Sequence, residues 1–323
     1  MILAGDIGGT NTRLALFDSS REMSCVREKK FPSKEFAGLG EIVRQFLSGD
    51  SVSYACFGIA GPVRNERCQA TNLPWVVDAK QLSGELHLPR VHLLNDLEAN
   101  AYGIRALKPD ELVLLQTGSG LQKGHQALIA AGTGLGEAGL FWNGQEHLPF
   151  ASEGGHTDFA PRDDLEIELF HYLRQKFPHV SYERVVSGPG LFLLYQFLIE
   201  TERGKSSSFV QEEMKLKNPG SVVSEYGRLG KDETCEKALD WFLSLYGAEA
   251  GNLALKYLAL GGVYIGGGIA LHLVEKMKSG LFLPSFYQKG RFKDLLSSIP
   301  IWVIMNDRAA LLGAAYVARR LSS

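Results

Sequence analysis

Asn95 and Asp96 stand together where an apolar run, Val91 to Leu94, gives way to a helix-compatible stretch, Leu97 to Leu107. An aspartate at the end of a buried strand can take the proton of a hydroxyl group, while the neighbouring amide orients the sugar or alcohol that carries it. The same pair also suits a helix start, since Asn and Asp are preferred N-caps. A second constellation, Ser152-Glu-Gly-Gly-His-Thr-Asp-Phe-Ala160, sets Glu153 and His156 around two glycines. Glycines let a backbone approach a ligand closely, and the acid and imidazole offer acceptors and a donor to vicinal hydroxyls. A lone loop histidine is more often a solvated or satisfied side chain than a ligand. Glu183, in Tyr182-Glu-Arg-Val-Val-Ser-Gly-Pro-Gly190, is a further acid at a helix start, where complementing the helix dipole is the alternative role.

Two glycine turns point to phosphate. Leu3-Ala-Gly-Asp-Ile-Gly-Gly-Thr-Asn-Thr-Arg-Leu-Ala-Leu-Phe17 and Ile129-Ala-Ala-Gly-Thr-Gly-Leu-Gly-Glu-Ala-Gly-Leu-Phe141 share one hydrophobic frame. Setting Phe17 on Phe141 superposes Gly8 on Gly132 and Leu16 on Leu140. The pattern predicts strand, tight turn and strand, with Gly8, Gly9, Gly132, Gly134 and Gly136 free to take positive φ. Outward N–H groups without a Cβ in the way suit polyphosphate oxygens, and the duplication suggests a nucleotide held between two related halves. Two ordinary hairpins are the alternative. Gly134-Leu-Gly-Glu-Ala-Gly139 fits G-x-G-x-x-G, but Leu140, Phe141 and Trp142 predict a strand where a dinucleotide fold needs a helix. No G-x-x-x-x-G-K-[ST] occurs, so a Walker-type loop is not the phosphate grip.

The elements that must position these residues are those of a globular α/β chain. At 323 residues it can bury two cores, and 45% hydrophobic with 22% charged residues is ordinary for a globular protein. A net charge of -2 without a basic cluster argues against nucleic acid or an anionic membrane surface. No apolar run reaches the roughly 18 residues of a membrane span, and the start lacks signal-peptide features, so a cytoplasmic location is expected. Cys25, Cys56, Cys68 and Cys235 are scattered without a C-x-x-C pair, which predicts reduced thiols rather than a zinc site.

Apolar spacing predicts strands at Cys25 to Phe31, Tyr54 to Ala60 and Val91 to Leu94, with a helix around Gly38 to Leu47. A second unit opens with strand Leu112 to Leu115, the polar loop Thr117 to Gln126 and the second hairpin. Helices follow over Asp163 to Phe177, capped by Asp163 and Asp164, then Gly190 to Glu202 and Thr234 to Leu258. Arg203 to Ser221, with Ser206-Ser-Ser208 and Asn218-Pro-Gly220, reads as a mobile loop. Strand Val263 to Ile265 meets Gly266-Gly-Gly268, and strand Ile301 to Met305 precedes Asn306-Asp307 and a closing helix, Ala309 to Leu321.

Taken in order, Gly5-Asp-Ile-Gly-Gly-Thr-Asn-Thr-Arg13, Thr71-Asn-Leu-Pro-Trp75, Leu94-Asn-Asp-Leu-Glu-Ala99, Ala131-Gly-Thr-Gly-Leu-Gly136, Glu153-Gly-Gly-His156, Glu183-Arg-Val-Val-Ser-Gly-Pro-Gly190 and Gly261-Gly-Val-Tyr-Ile-Gly-Gly-Gly-Ile269 make a composite pattern. It resembles bacterial-type glucokinase, from about Leu3 to about Val317. The resemblance implies an α/β, two-lobed actin-like ATPase (ribonuclease H-like) fold with an interlobe cleft. Residues 1–106 plus 303–323 would form the small lobe and residues 107–302 the large lobe. It also implies a cytoplasmic homodimer that phosphorylates glucose with ATP and Mg²⁺, its large lobe supplying the subunit contact, and lobe closure that excludes water.

On matching positions, the resemblance makes Asp96 the base for the sugar 6-hydroxyl, with Asn95, Glu153, His156 and Glu183 on the other hydroxyls. Asp6 would lie by the magnesium ion. Gly8, Gly9, Thr10 and Asn11 would lie by the β- and γ-phosphates, Gly132, Thr133, Gly134 and Gly136 by the phosphates from the other lobe, and Gly266, Gly267 and Gly268 against the adenosine. The related repressor and open-reading-frame kinase (ROK) family pairs a similar Glu-x-Gly-His segment with a zinc-binding cysteine cluster absent here, so His156 is expected to contact sugar. The chain begins at its first strand, which argues against a repressor with a leading helix-turn-helix, and Leu321-Ser-Ser323 is not a peroxisomal signal. Mannose, fructose or an N-acetylhexosamine as substrate, and ADP or polyphosphate as donor, stay open. So does a non-catalytic sugar sensor, although a sensor could dispense with Asp6 and Asp96.

Overall fold

The computed structural model describes residues 1–18, 23–119 and 123–321; residues 120–122 of the expected polar loop and the C-terminal Ser322-Ser323 lie outside the described residues. In chain order come β1 (Ile2–Ile7), β2 (Asn11–Phe17), β3 (Cys25–Pro32), α1 (Leu39–Leu47), β4 (Tyr54–Ile59), β5 (Val63–Arg64), β6 (Arg67–Gln69), β7 (Val76–Asp78), α2 (Ala79–Leu86), β8 (Val91–Asn95) and α3 (Asp96–Gly103). Then follow β9 (Leu112–Gln116), β10 (Gln126–Ala131), β11 (Leu135–Trp142), β12 (His147–Ser152), α4 (Asp164–Lys176), α5 (Gly188–Glu200), α6 (Ser208–Leu216), α7 (Pro219–Arg228) and α8 (Glu233–Lys256). The chain ends with β13 (Gly262–Gly266), α9 (Gly268–Ser279), α10 (Phe282–Tyr287), α11 (Lys293–Ser297), β14 (Ile301–Ile304) and α12 (Ala309–Arg320). It divides into two compact units: Met1–Glu111 with Leu148–Ala151 and Asn306–Ser323, and Leu112–His147 with Ser152–Met305.

In the first unit a sheet runs β3-β2-β1-β4-β8. β1 is antiparallel to β2 and parallel to β4, and β4 is parallel to β8. Side chains alternate across a strand, so Leu3 and Ile7 of β1 fall on one face and Ile2 and Ala4 on the other. Both faces are buried: the first packs with Ile42, Phe46 and Leu82 of α1 and α2, the second with Ala99, Leu311 and Ala315 of α3 and α12. That double cover explains why β1 and β4 are apolar along most of their length rather than alternating. α3 meets α12 at backbone distance, since a Cβ on Gly313 would lie 1.8 Å from the carbonyl oxygen of Ala99, and one on Gly103 1.9 Å from that of Ala309.

The second unit is built on the strands β11-β10-β13-β14-β9, in that order within one sheet. Its hairpin and the parallel strands beside it repeat the first unit's pattern, because β10 is antiparallel to β11 and parallel to β13. The long helix α8 crosses the core and places Tyr246 under the hairpin. The Tyr246 hydroxyl accepts from the backbone N–H of Ala131 at 3.2 Å and reaches the carbonyl oxygen of Gly266 at 3.4 Å. A single aromatic side chain therefore ties the ends of β10 and β13 together.

The two hairpins open at corresponding residues, Ile2 with Gln126 and Asn11 with Leu135, yet their registers differ by one. Ile2 pairs with Phe17, whereas Gln126 pairs with Leu140. The second turn is one residue tighter, closing Gly132 N–H onto the Gly134 carbonyl at 2.8 Å, against Gly8 N–H onto Asn11 at 2.9 Å. A one-residue slip exchanges the faces of a strand, so the turns are related without being copies.

The expected loop Arg203 to Ser221 is instead largely helical, containing α6 and the start of α7. Asn218 is the N-cap of α7, its Oδ1 accepting from Ser221 N–H at 3.1 Å, and Pro219 sits in the first turn, where its missing N–H costs nothing. Val210, Val222 and Val223 are buried there. Likewise α5 starts at Gly188, capped by Ser187, with Pro189 inside its first turn. The small sheet β5-β6-β7, the strand β12 and helices α2, α9, α10 and α11 are additions to the elements read from the sequence.

The α3–α12 contact gives a stability test. Gly313→Ala should destabilise the protein by about 1–3 kcal/mol in urea denaturation, because backbone must shift to admit the methyl. Gly84→Ala, exposed in α2 with nothing within 4 Å, should move the midpoint the other way by about 0.5–1 kcal/mol. A neutral Gly313→Ala would refute the close contact.

Candidate active site

In the first unit the expected residues collect at the carboxyl ends of β1 and β8. Gly8 and Gly9 do not take positive φ, and neither do Gly132, Gly134 and Gly136. This corrects the expectation that left-handed backbone is why glycine stands in these turns. The reason is close approach: a Cβ on Gly9 would lie 2.5 Å from Cβ of Asn72, so the first turn rests on the Thr71–Trp75 loop. That loop is anchored by buried Trp75, whose Nε1 donates to the Phe36 carbonyl at 3.2 Å.

Asp6 precedes the turn and pairs across the hairpin with Arg13. Burial pushes the Asp6 carboxyl up to about 6, with Asp307 adding to the rise and Arg13 and Lys30 opposing it. Arg13 spends its hydrogen bonds elsewhere, on Asp307 Oδ2 at 2.6 Å and the Asp307 carbonyl at 3.2 Å, with Glu28 3.6 Å from its Nε. Arg308 closes this network on Glu28 at 2.6 Å. The sequence signal for it was slight, an acid after β14 and a basic residue on β2.

Asn95 does cap α3. Its Oδ1 accepts from Leu97 N–H at 2.9 Å and Glu98 N–H at 3.3 Å, while Nδ2 donates to the Gly61 carbonyl at 3.2 Å. One Nδ2 hydrogen is left for another acceptor. Asp96 is the first residue of α3, and its Oδ1 accepts from Leu97 N–H at 2.9 Å. The dipeptide thus both caps the helix and sets a half-buried carboxylate at its start.

In the second unit Glu183 proves to be more than a dipole partner. Its Oε2 accepts from Leu135 N–H at 3.0 Å, and a Cβ on Gly134 would lie 2.5 Å from the same oxygen. Glu183 therefore braces the second glycine turn, which is also held by Gly188 N–H on the Gly132 carbonyl at 2.8 Å. Its other oxygen lies 4.0 Å from Nδ1 of His156. Glu153 and His156 flank a 3₁₀ turn, Gly154–His156, that closes from His156 N–H to the Glu153 carbonyl at 3.0 Å. The turn sits on β11, where a Cβ on Gly155 would lie 2.0 Å from the Leu135 carbonyl oxygen. Sugar-side and phosphate-side candidates of this unit thus share Glu183 as a common member.

Gly267 is the position that needs left-handed backbone, with φ of 86° and the Ala131 carbonyl oxygen 2.3 Å from where a Cβ would be. It caps α9, whose first residues, Gly268 and Ile269, line a cavity of about 690 Å³. Gly132, Thr133 and Gly268 line this cavity, together with Asn218, Ser221, Ser224, Glu225, Arg228 and His272. None of these six is among the site residues expected from the sequence; five belong to α7 or its cap and His272 to α9, neither of which the apolar spacing predicts. Ser221, Ser224, Glu225 and Arg228 recur at helical spacing, and that polar stripe was the available signal.

The architecture defines the class first: a twofold use of the strand–turn–strand device on α/β units is the actin-like ATPase fold. The solved glucokinase from an Antarctic psychrotroph has this fold, with a TM-score of 0.82 and 31% identity over 99% of this chain and 98% of that one. A ROK family glucokinase from Streptomyces griseus, in complex with glucose and AMPPNP, shares the fold at a TM-score of 0.67 and 21% identity, covering 99% of each chain. Residues 3–321 match the family model described as Glucokinase, and the glucokinase of a Nostoc species is 42% identical over 99% of both chains. The chain belongs to the glucokinase family.

The Arg13 network carries a pH-dependent test. Arg13 beside Asp307 holds that carboxyl below its ordinary range, so the stabilisation is present above about pH 4 and fades as pH falls through the lowered value. Asp307→Asn should cost about 1 kcal/mol at pH 7, since Asp307 is largely exposed, with a gap to the parent that narrows in acid. A gap that widens below pH 4 would contradict the pairing.

Proposed function

We propose that this protein is an ATP-dependent glucokinase that transfers the γ-phosphoryl group of ATP to the 6-hydroxyl of glucose. The observation that carries the reading is Asp96 at the junction of β8 and α3, held by the Asn95 cap. Membership of the glucokinase family supports it, as does the glucose and AMPPNP complex of the Streptomyces griseus neighbour.

In this reading the sugar O6 attacks the γ-phosphorus, its bond to the β–γ bridging oxygen breaks to release ADP, and the O6 proton passes to Asp96. A carboxylate suffices as base because the loose transition state of phosphoryl transfer requires proton removal late. The free Nδ2 hydrogen of Asn95, with Glu153, His156 and Glu183, fixes the other hydroxyls. Gly8, Gly9, Thr10 and Asn11 grip the phosphates from the first unit, and Gly132, Thr133, Gly134 and Gly136 from the second. Gly266, Gly267 and Gly268 lie against adenosine, for which a 690 Å³ cavity with polar side chains is of suitable size.

Mg²⁺ belongs to the same reading, with Asp6 as its protein contact. The fit rests on a buried carboxyl whose ionisation the fold resists and a cation would favour. Mg²⁺ is a hard cation that is commonly held by one or two carboxylates together with substrate phosphates, which suits a single carboxylate beside a phosphate grip. When bound, such an ion shields the phosphate oxygens from the incoming hydroxyl. A homodimeric, cytoplasmic enzyme with lobes 1–106 plus 303–323 and 107–302 completes the proposal on the strength of the family resemblance. No described helix is long and apolar enough to cross a membrane.

A coupled assay with Mg-ATP against a panel of hexoses, run beside Asp96→Asn, tests the reading. The expected result is turnover on glucose that falls about 10²–10⁴-fold in the variant, with glucose affinity by calorimetry kept within about threefold. Preference for mannose, fructose or an N-acetylhexosamine would change the substrate and keep the mechanism. Near-parental turnover of Asp96→Asn would remove Asp96 from its role, and sugar binding without turnover would favour a sensor.

A further inference from the structure

Beneath the Gly154–His156 turn lies an acid that no step above uses. Glu137 of β11 is 1% exposed, and no hydrogen-bond donor among the described residues reaches its Oε1. Its Oε2 lies flat against the turn, 1.9 Å from where a Cβ on Gly154 would be. The group that Glu137 faces within hydrogen-bonding reach is another buried carboxyl, that of Glu249 on α8. Two carboxyls can hydrogen-bond only when one carries a proton. Glu249 already accepts from Lys256 Nζ at 3.1 Å and from Asn252 Nδ2 at 2.7 Å, so the proton sits on Glu137.

The chain of contacts continues from there to the second sugar-side turn. Asn252 Nδ2 also donates to the hydroxyl of buried Tyr182 at 3.0 Å, and Asn252 Oδ1 accepts from Lys289. Tyr182 opens the 3₁₀ turn Tyr182–Arg184 that carries Glu183, and its backbone N–H donates to the Thr157 carbonyl at 3.1 Å. One end of the relay therefore bears on Glu153 and His156, and the other on Glu183. We propose that Glu137 is a positioning residue for the sugar, acting through Glu249, Asn252 and Tyr182 to keep these two turns in one mutual arrangement. The inference rests on the glucokinase reading, because it assigns those turns to glucose.

The relay has a built-in proton dependence. Burial and the facing Glu249 push Glu137 up to about 8, with Lys256 opposing. The charged and titratable groups that act on it are Glu249, Lys256 and Tyr246 from α8, while Tyr182 from its turn and Lys289, which burial pushes down to about 8 with Arg162 and Glu166 nearby, act on Glu249. Above about pH 8 Glu137 ionises against Glu249, the shared hydrogen bond is lost, and two like charges press on the Gly154 turn. A hydrophobic side chain of similar volume would fill the site without that penalty, which is why position rather than stability is the role assigned.

The test measures KM for glucose and for ATP, and the calorimetric Kd for glucose, from pH 6.5 to 9.5 on the parent, Glu137→Gln and Asn252→Ala, each checked for folding by thermal melting. In the parent, KM and Kd for glucose should rise about tenfold from pH 7 to pH 9.5 while KM for ATP stays within twofold. Glu137→Gln, which keeps a donor and cannot ionise, should flatten that rise. Asn252→Ala should weaken glucose at least tenfold at every pH and leave ATP unaffected. A glucose pH profile of Glu137→Gln that parallels the parent's, or a parental glucose KM in folded Asn252→Ala, overturns the relay alone. A parent that does not phosphorylate glucose overturns the kinase reading, and the inference falls with it.

Discussion

The first unit depends on two helices meeting at their backbones. α3 and α12 approach so closely that Gly103 and Gly313 have room for nothing beyond hydrogen, with Ala99 and Ala309 as the facing residues. α3 begins with Asp96, and α12 follows directly on Asp307 and Arg308. The contact thus brings the last helix of the chain onto the element that starts with the proposed base. It also places Asp307 where it can take the hydrogen bonds of Arg13, on the strand paired with Asp6. A chain end distant in sequence is in this way part of the local environment of both acids.

The second unit solves its positioning problem with polar groups instead. Glu183 makes two contacts with one carboxylate, its Oε2 on the glycine turn and its Oε1 toward His156. Anything that shifts the turn shifts the acid, so the residues proposed for phosphate and those proposed for sugar in this unit are coupled through one hydrogen bond to a carboxylate. Below it, Tyr246 fixes the ends of β10 and β13 while Asn252 links Glu249 to Tyr182. α8 supplies Tyr246, Glu249 and Asn252 at spacings of three residues each, which places them along one side of the helix.

Much of this was legible from residue types and spacing. The strands bearing both glycine turns, the Asn95-Asp96 junction and the closing helix followed from apolar periodicity and cap chemistry, because each is a local signal. The glycines were legible as necessary but not as to why: Gly9 and Gly134 are required by Asn72 and Glu183, neighbours distant in sequence. The one-residue slip between the hairpins was hidden because matching hydrophobic frames constrain where strands start, whereas pairing is set by the length of the turn. α6 and α7 were hidden behind Ser, Asn, Pro and Gly, residues that mark loops and helix starts alike. The Glu137–Glu249 pair was out of reach altogether, since nothing local separates a buried acid from an exposed one.

Two carboxyls in this fold, Asp6 and Glu137, are pushed above their ordinary range by burial. A raised acid favours folding below its ordinary pKa and costs stability as pH climbs toward the raised value, so both work against the native state near neutrality. The two sites offset that cost in different ways. Asp6 sits beside the phosphate-side turn, where a cation would offset its charge. Glu137 has no such solvent-side partner and can only keep its proton, so its value must lie in the neutral, hydrogen-bonded form that touches Gly154. The same physical perturbation thus argues for an ion contact at one carboxyl and for a proton-locked support at the other.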